Sequence, residues 1–185
     1  GDRVGVGWIH SACGQCEHCL NQNDNLCFKF KATGRDVYGG YAEMMCIPEQ
    51  YAHRIPELID DDHAAPLLCA GAIGYRFLKL TRVINGQTIG LTGFGASGHL
   101  VIKMVQYLYP DSDVYVFARS PKEREFALIL GAVWSGDTDE QSPELLHTII
   151  DTTPVWKPII HALENLRPSG RLVINAIRKE DHDKG

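Results

Sequence analysis

Several absences narrow this sequence before any motif is considered. No continuous apolar run approaches the ~20 residues that a membrane-spanning helix requires, so a helical integral membrane protein is excluded. Basic charge is not in excess either: 18 Lys and Arg stand against 23 Asp and Glu, a formal charge of −5. Without a broad cationic surface a phosphate backbone meets no counter-charge, and nucleic acid is set aside as a general partner. The chain has no initiator Met, no charged start leading into an apolar stretch, and no twin-Arg start. It opens directly on the strand-like Gly1-Asp2-Arg3-Val4-Gly5-Val6, which leads us to expect a piece of a longer protein. Apolar residues are plentiful, at 44% of 185 against 22% charged. That is enough for one ordinary domain or two small ones with a core, and disorder is a poor reading.

Of the six cysteines, four crowd into Cys13-Gly-Gln-Cys16-Glu-His-Cys19 and, after seven residues, Cys27. Adjacent C-x2-C thiols on a tight loop can face one ion, and four thiolates satisfy the tetrahedral preference of zinc with no position left for water. Such a closed site is structural. A disulfide framework fits a small secreted chain better than this one. An iron–sulfur cluster of the bacterial ferredoxin type requires C-x2-C-x2-C-x3-C-P, whereas here the last gap is longer and Phe28 follows Cys27. His18 lies within the lobe, but no fifth ligand is needed, and it reads as a solvated loop residue. Cys46, in Tyr41-Ala-Glu-Met-Met-Cys46-Ile-Pro48, reads as a buried small residue in or near a strand. Cys69 lies among small residues in Ala64-Ala-Pro-Leu-Leu-Cys69-Ala-Gly71, and from its neighbours alone it reads as a buried thiol.

From Thr88 onward short β-type runs alternate with helical ones, the pattern of a parallel sheet with crossover helices. Thr88–Thr92 reads as a strand. It runs into Gly93-Phe-Gly95-Ala96-Ser97-Gly98, after which Leu100, Val101, Met104, Val105 and Leu108 recur at helical spacing. Strand, glycine turn and helix in that order form the dinucleotide fingerprint. Gly93 permits the tight turn, Gly95 admits a pyrophosphate to the backbone, and Gly98 lets the helix pack close to the strand. Further strands are expected at 114–118, 132–135, 148–151 and 171–176, the last after a Pro168-Ser-Gly170 turn. A helix is expected to open at Ser120-Pro121-Lys122-Glu123, with Ser120 and Glu123 forming a capping box and Gly131 stopping it. Another is expected from Val155 to Leu166, with Pro158 in its first turn. Because a full dinucleotide fold has six strands, the Asp181–Gly185 tail reads as a second cut.

The end of the second strand bears on cofactor choice. An acidic group there would hydrogen-bond the ribose 2′-hydroxyl of NAD. Asp113 has the right count but precedes the strand; the carboxyl end carries Ala118, Arg119 and Ser120. A 2′-phosphate could be held by Arg119, with Lys122 or Arg124, so NADP is expected over NAD.

Taken in order, Gly1–Val6, the cysteine lobe, Gly39-Gly-Tyr-Ala-Glu43, Ala65–Gly71, the Gly93–Gly98 turn and Leu166-Arg-Pro-Ser-Gly-Arg171 resemble the zinc-dependent medium-chain alcohol dehydrogenases over nearly the whole chain. The resemblance implies a partial GroES-like catalytic domain over 1–60, with a structural zinc lobe at 13–27. A Rossmann-type doubly wound domain would follow over 61–185. It implies that Cys13, Cys16, Cys19 and Cys27 bind structural zinc, and it reverses the reading of Cys69, which becomes a ligand of a second, catalytic zinc. The remaining catalytic ligands, a Cys and a His, match no residue here, and His10, His53 and His63 do not replace them. The activity implied is hydride transfer between an alcohol and NAD(P), on a small-molecule substrate, in a dimer or tetramer when intact; reduced thiols on a metal make the cytoplasm the expected compartment. Ala118 stands where NAD-dependent members commonly carry an acid, which leaves the cofactor open between NADP and NAD. A polyol dehydrogenase, a quinone reductase of the same superfamily, and a zinc-stabilised nucleotide-binding module are the alternatives.

Overall fold

A computed structural model describes residues 1–175; the expected strand end at Ala176 and the tail at 181–185 lie outside the described residues. The chain divides into two compact units, Gly1–Cys69 and the remainder from Ala70, in place of a division at 60/61.

The first unit is built of short antiparallel pairs. Strand β1 (Val4–Val6) pairs with β4 (Ala52–Arg54), and β2 (Ile9–Ser11) pairs with β3 (Lys31–Ala32). Arg3 fastens the chain that leaves β4. Its guanidinium donates to the Ile59 carbonyl at 2.5 Å, to the Pro56 carbonyl at 3.3 Å and to Asp61 at 2.8 Å. These bonds satisfy carbonyls that no ladder would reach. Helix α2 (Asp61–Pro66) starts where Asp60 accepts a hydrogen bond from the His63 backbone N–H at 2.9 Å, an ordinary acidic N-cap. Cys46 departs from expectation. It is exposed, and residues 42–48 belong to no strand, so no ladder holds its side chain toward a core.

The second unit carries a parallel sheet in the order β7-β6-β5-β8-β9, formed by β5 (Ile89–Thr92), β6 (Val114–Phe117), β7 (Trp134–Gly136), β8 (Leu146–Asp151) and β9 (Leu166–Ile174). The order runs outward from β5 in both directions, as a doubly wound sheet requires. Strands β5 and β6 are buried at every position because helices cover both faces of such a sheet. Along β6 the side chains alternate: Val114 and Val116 join the core that includes Leu78, Val101 and Ile102, while Tyr115 and Phe117 join the core with Leu146 and Ile149. The helices are α3 (Ala72–Thr81), α4 (Ala96–Leu108), α5 (Pro121–Ile129) and α6 (Lys157–Glu164).

Three local expectations need correction. Ser120 occupies the N-cap position of α5 and Pro121 its first turn, but the Ser120 side chain makes no capping bond, so the capping box is not closed. Helix α6 ends at Glu164, where the Asn165 side chain donates to the His161 carbonyl at 2.9 Å. Strand β9 begins at Leu166, five residues early. It pairs Leu166 with Leu146, bulges, and re-enters register at Arg171 opposite Thr148. Ser169 takes φ +66° inside that bulge.

Candidate functional site

The first site is the cysteine lobe, held wholly within the first unit. Cys13 follows β2, and Gly14 at φ +72° turns the chain so that Cys16 becomes the N-cap of the one-turn helix α1 (Glu17–Leu20), which carries Cys19. A 3₁₀ turn over Asp24–Leu26 then delivers Cys27, whose side chain is buried. All four sulfurs lie within 4.8 Å of one another. The Cys13–Cys19 and Cys16–Cys19 sulfurs are 3.9 and 3.5 Å apart. Zinc–sulfur bonds of about 2.3 Å in a tetrahedron would set sulfurs roughly 3.8 Å apart, so the donor set and its spacing fit the ion. The Cys27 sulfur accepts backbone N–H groups from Cys13 at 3.4 Å and Lys29 at 3.3 Å, donors that favour a thiolate.

The thiols do not ionise alike. Backbone N–H groups of Gln15 and Cys16 lower Cys13 to about 6, while burial and the neighbouring Cys16 sulfur push Cys19 up to about 12. Four crowded thiols cannot all lose their protons without a cation to balance them. Tyr51 anchors the lobe: its buried hydroxyl donates to Asp24 at 3.0 Å, and burial together with that carboxylate pushes it up to about 12. His18 is no free loop residue. It lies on α1, half-buried, its ring 6.0 Å from that of Phe28.

The second site is the turn between β5 and α4. Gly93 has φ +81°, and a Cβ there would stand 2.7 Å from the Thr152 hydroxyl oxygen. Gly95 is the N-cap of α4, and a Cβ on it would meet nothing within 4 Å. Open space at Gly95 is the room a pyrophosphate needs beside the backbone. Gly95 offers no side chain to cap the first-turn amides of Ala96, Ser97 and Gly98, which leaves a helix N-terminus suited to an anion. At Gly98 a Cβ would lie 3.1 Å from the Gly93 carbonyl oxygen, so helix and strand approach closely only with glycine there. Thr152 and Thr153, after β8, complete the switch point between β5 and β8. The Thr152 hydroxyl donates to the Thr92 carbonyl at 3.0 Å, and the Thr153 hydroxyl donates to the buried Asp151 carboxylate at 2.7 Å. Nothing in the sequence marks these two threonines except their place after an apolar strand.

Beyond β6, Ala118 is buried, Arg119 and Lys122 are exposed, and Ser120 is half-buried with its hydroxyl bonded to none of the described residues. Arg124 is committed elsewhere. Its guanidinium donates to the carbonyls of Ala118 at 2.9 Å and Arg119 at 3.3 Å and to the Asp137 carboxylate at 2.9 Å, which fixes the end of β6 to the end of β7. Cys69 lies in a π-helical turn, Leu67–Gly71, between α2 and α3, and it is exposed rather than buried. Such turns recur at functional positions in helices. Among the described residues only the four-cysteine group gathers three or more metal-ligating side chains, and Cys69 stands outside it.

Residues 1–57 match the alcohol dehydrogenase GroES-like domain family. The chain is 39% identical over 181 residues to the "Probable alcohol dehydrogenase AdhA" of Mycobacterium tuberculosis, a match covering 98% of this chain and 52% of that protein. It is 36% identical over 188 residues to the "Probable mannitol dehydrogenase" of Fragaria ananassa, covering 94% of this chain and 52% of that one. Among solved structures, the CAD of Helicobacter pylori complexed with NADP(H) superimposes with a TM-score of 0.84 at 29% identity, over 96% of this chain and 53% of that one. The chain thus spans about half the length of the relatives it matches. It is similar over nearly its whole length to alcohol dehydrogenases, with a GroES-like first part followed by a Rossmann-type parallel sheet.

Proposed function

We propose that this chain is part of a zinc-dependent alcohol dehydrogenase that exchanges hydride between a small alcohol and a nicotinamide cofactor. The presence on one chain of a four-sulfur cluster and an open glycine cradle at a helix N-terminus supports it most directly. When bound, zinc supplies a Lewis acid for the substrate oxygen and the nicotinamide supplies the hydride acceptor or donor. Cys13, Cys16, Cys19 and Cys27 hold a closed structural ion and take no part in turnover. Cys69, exposed on its π-helical turn, is one ligand of the catalytic ion.

Gly93, Gly95, Ala96, Ser97 and Gly98 receive the pyrophosphate on backbone N–H groups, which orients the dinucleotide without a side-chain charge. At the end of β6, Arg119, Ser120 and Lys122 meet the adenosine ribose. With no carboxylate at Ala118 to repel a 2′-phosphate, they favour NADP over NAD. A polyol substrate is the second reading, favoured by the similarity to the strawberry mannitol dehydrogenase. The protein works in the cytoplasm as a dimer or tetramer.

Metal content and cofactor affinity of the whole protein test this. Two zinc ions per subunit are expected, with Cys69→Ala retaining one, keeping cofactor affinity and losing turnover. Near-normal turnover of Cys69→Ala would remove that residue from the chemistry.

A further inference from the structure

A cavity of about 280 Å³ lies at the amino-terminal edge of the parallel sheet, the opposite edge from the glycine cradle. Its size is just under the ~300 Å³ at which small-molecule pockets begin. Arg82, Arg167, Arg171 and His147 line it, together with Thr81 and Gln87. The chain carries a net charge of −5, yet among the described residues none of these three arginines forms an ion pair. Three uncompensated guanidinium groups around one concavity create a field that calls for a multivalent anion.

The backbone builds this arrangement. Arg82 follows α3 in the left-handed conformation, at φ +52°. The bulge in β9 places Arg167 through Gly170 opposite His147 alone, since Leu166 pairs with Leu146 and Arg171 with Thr148. Ser169 at φ +66° holds an unfavourable backbone conformation inside that bulge, of the kind found at ligand clamps. Arg171 donates to the Thr81 carbonyl at 2.6 Å, which occupies a carbonyl at the end of α3 that would otherwise repel an anion.

His147 adds a further contact. Its Nδ1 lies 3.1 Å from the Thr88 backbone nitrogen and 2.9 Å from the Thr88 hydroxyl, and its Nε2 lies against the Arg167 guanidinium. With the proton on Nδ1 and donated to the Thr88 hydroxyl, Nε2 accepts from Arg167. That contact holds the Arg167 guanidinium at the cavity wall, where its other N–H groups can meet an acceptor. Glu144 is the acidic group whose field reaches His147, and it accepts the Tyr115 hydroxyl at 2.6 Å. Burial and Arg167 lower His147 against the opposing field of Glu144, in keeping with a neutral ring.

We propose that this cavity binds a tetrahedral oxyanion of the phosphate class, either free or as a small phosphomonoester. Donors approach from α3, β8 and the β9 bulge, which suits a tetrahedral acceptor better than a planar carboxylate.

The test is titration of the full chain with inorganic phosphate and with glycerol 2-phosphate at constant chloride-set ionic strength, followed by calorimetry and by the His147 ring resonances. Saturable binding of both is expected, with shifted His147 signals; the tighter of the two probes names the source of the phosphate group. Arg82→Gln and Arg167→Gln, both at exposed positions, are expected to weaken binding roughly tenfold each. Gly95→Asp, which puts a carboxylate in the glycine cradle, is expected to remove only phosphate held there and to leave the component that depends on Arg82 and Arg167. Binding no greater than that of chloride would overturn the proposal, as would binding lost in Gly95→Asp and kept in Arg167→Gln.

Discussion

The hydroxyl of Thr152 donates to the carbonyl of Thr92 at 3.0 Å, joining the carboxyl ends of β8 and β5 where the strand order reverses. The same hydroxyl fills the space into which any side chain at Gly93 would have to project. The cradle geometry thus depends on a pair of residues from strands far apart in sequence.

Gly93→Ala tests that dependence. The left-handed backbone alone costs an alanine about 1–2 kcal/mol, and the 2.7 Å approach to Thr152 adds to it. Urea unfolding should show Gly93→Ala destabilised by at least about 2 kcal/mol. Part of the loss should return in the double variant with Thr152→Ala, where the backbone cost, the 3.1 Å approach to the Thr153 methyl and the lost Thr152 hydrogen bonding remain. A neutral Gly93→Ala would mean that the two residues do not make this close approach.

Arg124 and Asp137 form a pair that bridges β6 and β7. Burial raises the Asp137 pKa, but the Thr138 N–H and Arg124 outweigh it and leave the carboxyl below its ordinary value. Its contribution to stability is therefore complete above the unfolded carboxylate range and disappears as pH falls through the lower folded value. Because both side chains are partly exposed, Arg124→Gln should cost only about 1 kcal/mol at neutral pH. That loss should shrink in acid. Arg124→Gln should also leave the ratio of NADP to NAD affinity unchanged, since its guanidinium is already bound to protein.

Arg119 and Lys122 should behave in the opposite way. Replacing either with Gln is expected to raise the dissociation constant for NADP roughly tenfold and leave that for NAD nearly constant, because only the 2′-phosphate would lose a charge-assisted bond. Fluorescence titration of the whole protein with both cofactors would check it. Equal losses for the two would remove these side chains from the discrimination.

Cys27→Ser should reduce the zinc content by one ion per chain and expose residues 13–27 to limited proteolysis, with the parallel sheet still folded by circular dichroism. The lobe has little apolar core of its own, Cys27 itself being its buried apolar side chain, so a bound ion would supply its order. Retention of zinc in this variant would contradict the proposed ligand set.

Asp36 offers a separate pH test in the same unit. The Arg35 guanidinium, followed by the Ala32 backbone N–H, lowers it to about 2. The bond to Ala32, at the end of β3, should persist down to that value and fail below it. Carboxyl NMR titration should place Asp36 near 2, and Arg35→Gln should raise it.

How much could be read in advance varied from element to element. Strands β5, β6 and β8 fall within two residues of their expected bounds, because a strand buried on both faces shows as a continuous apolar run. The four-cysteine spacing likewise led to one sulfur cluster, since ligands so close in sequence leave the chain few other arrangements. Cys46 and Cys69 were different. Whether a thiol is buried depends on what packs over it, and local composition does not record that.

By itself, the sequence determined the alternation of strands and helices, the glycine turn at the end of β5, and the four-cysteine cluster, all of which follow from patterns only a few residues long. Tertiary structure decided the rest. It turned Arg124 inward to Asp137 and away from the solvent, set Thr152 against Gly93, and folded β9 so that Arg167 and Arg171 share a cavity with Arg82 and His147. Each of these is a relation between residues on different elements. Their side chains acquire partners only when the sheet brings those elements together, so no local pattern could have specified them.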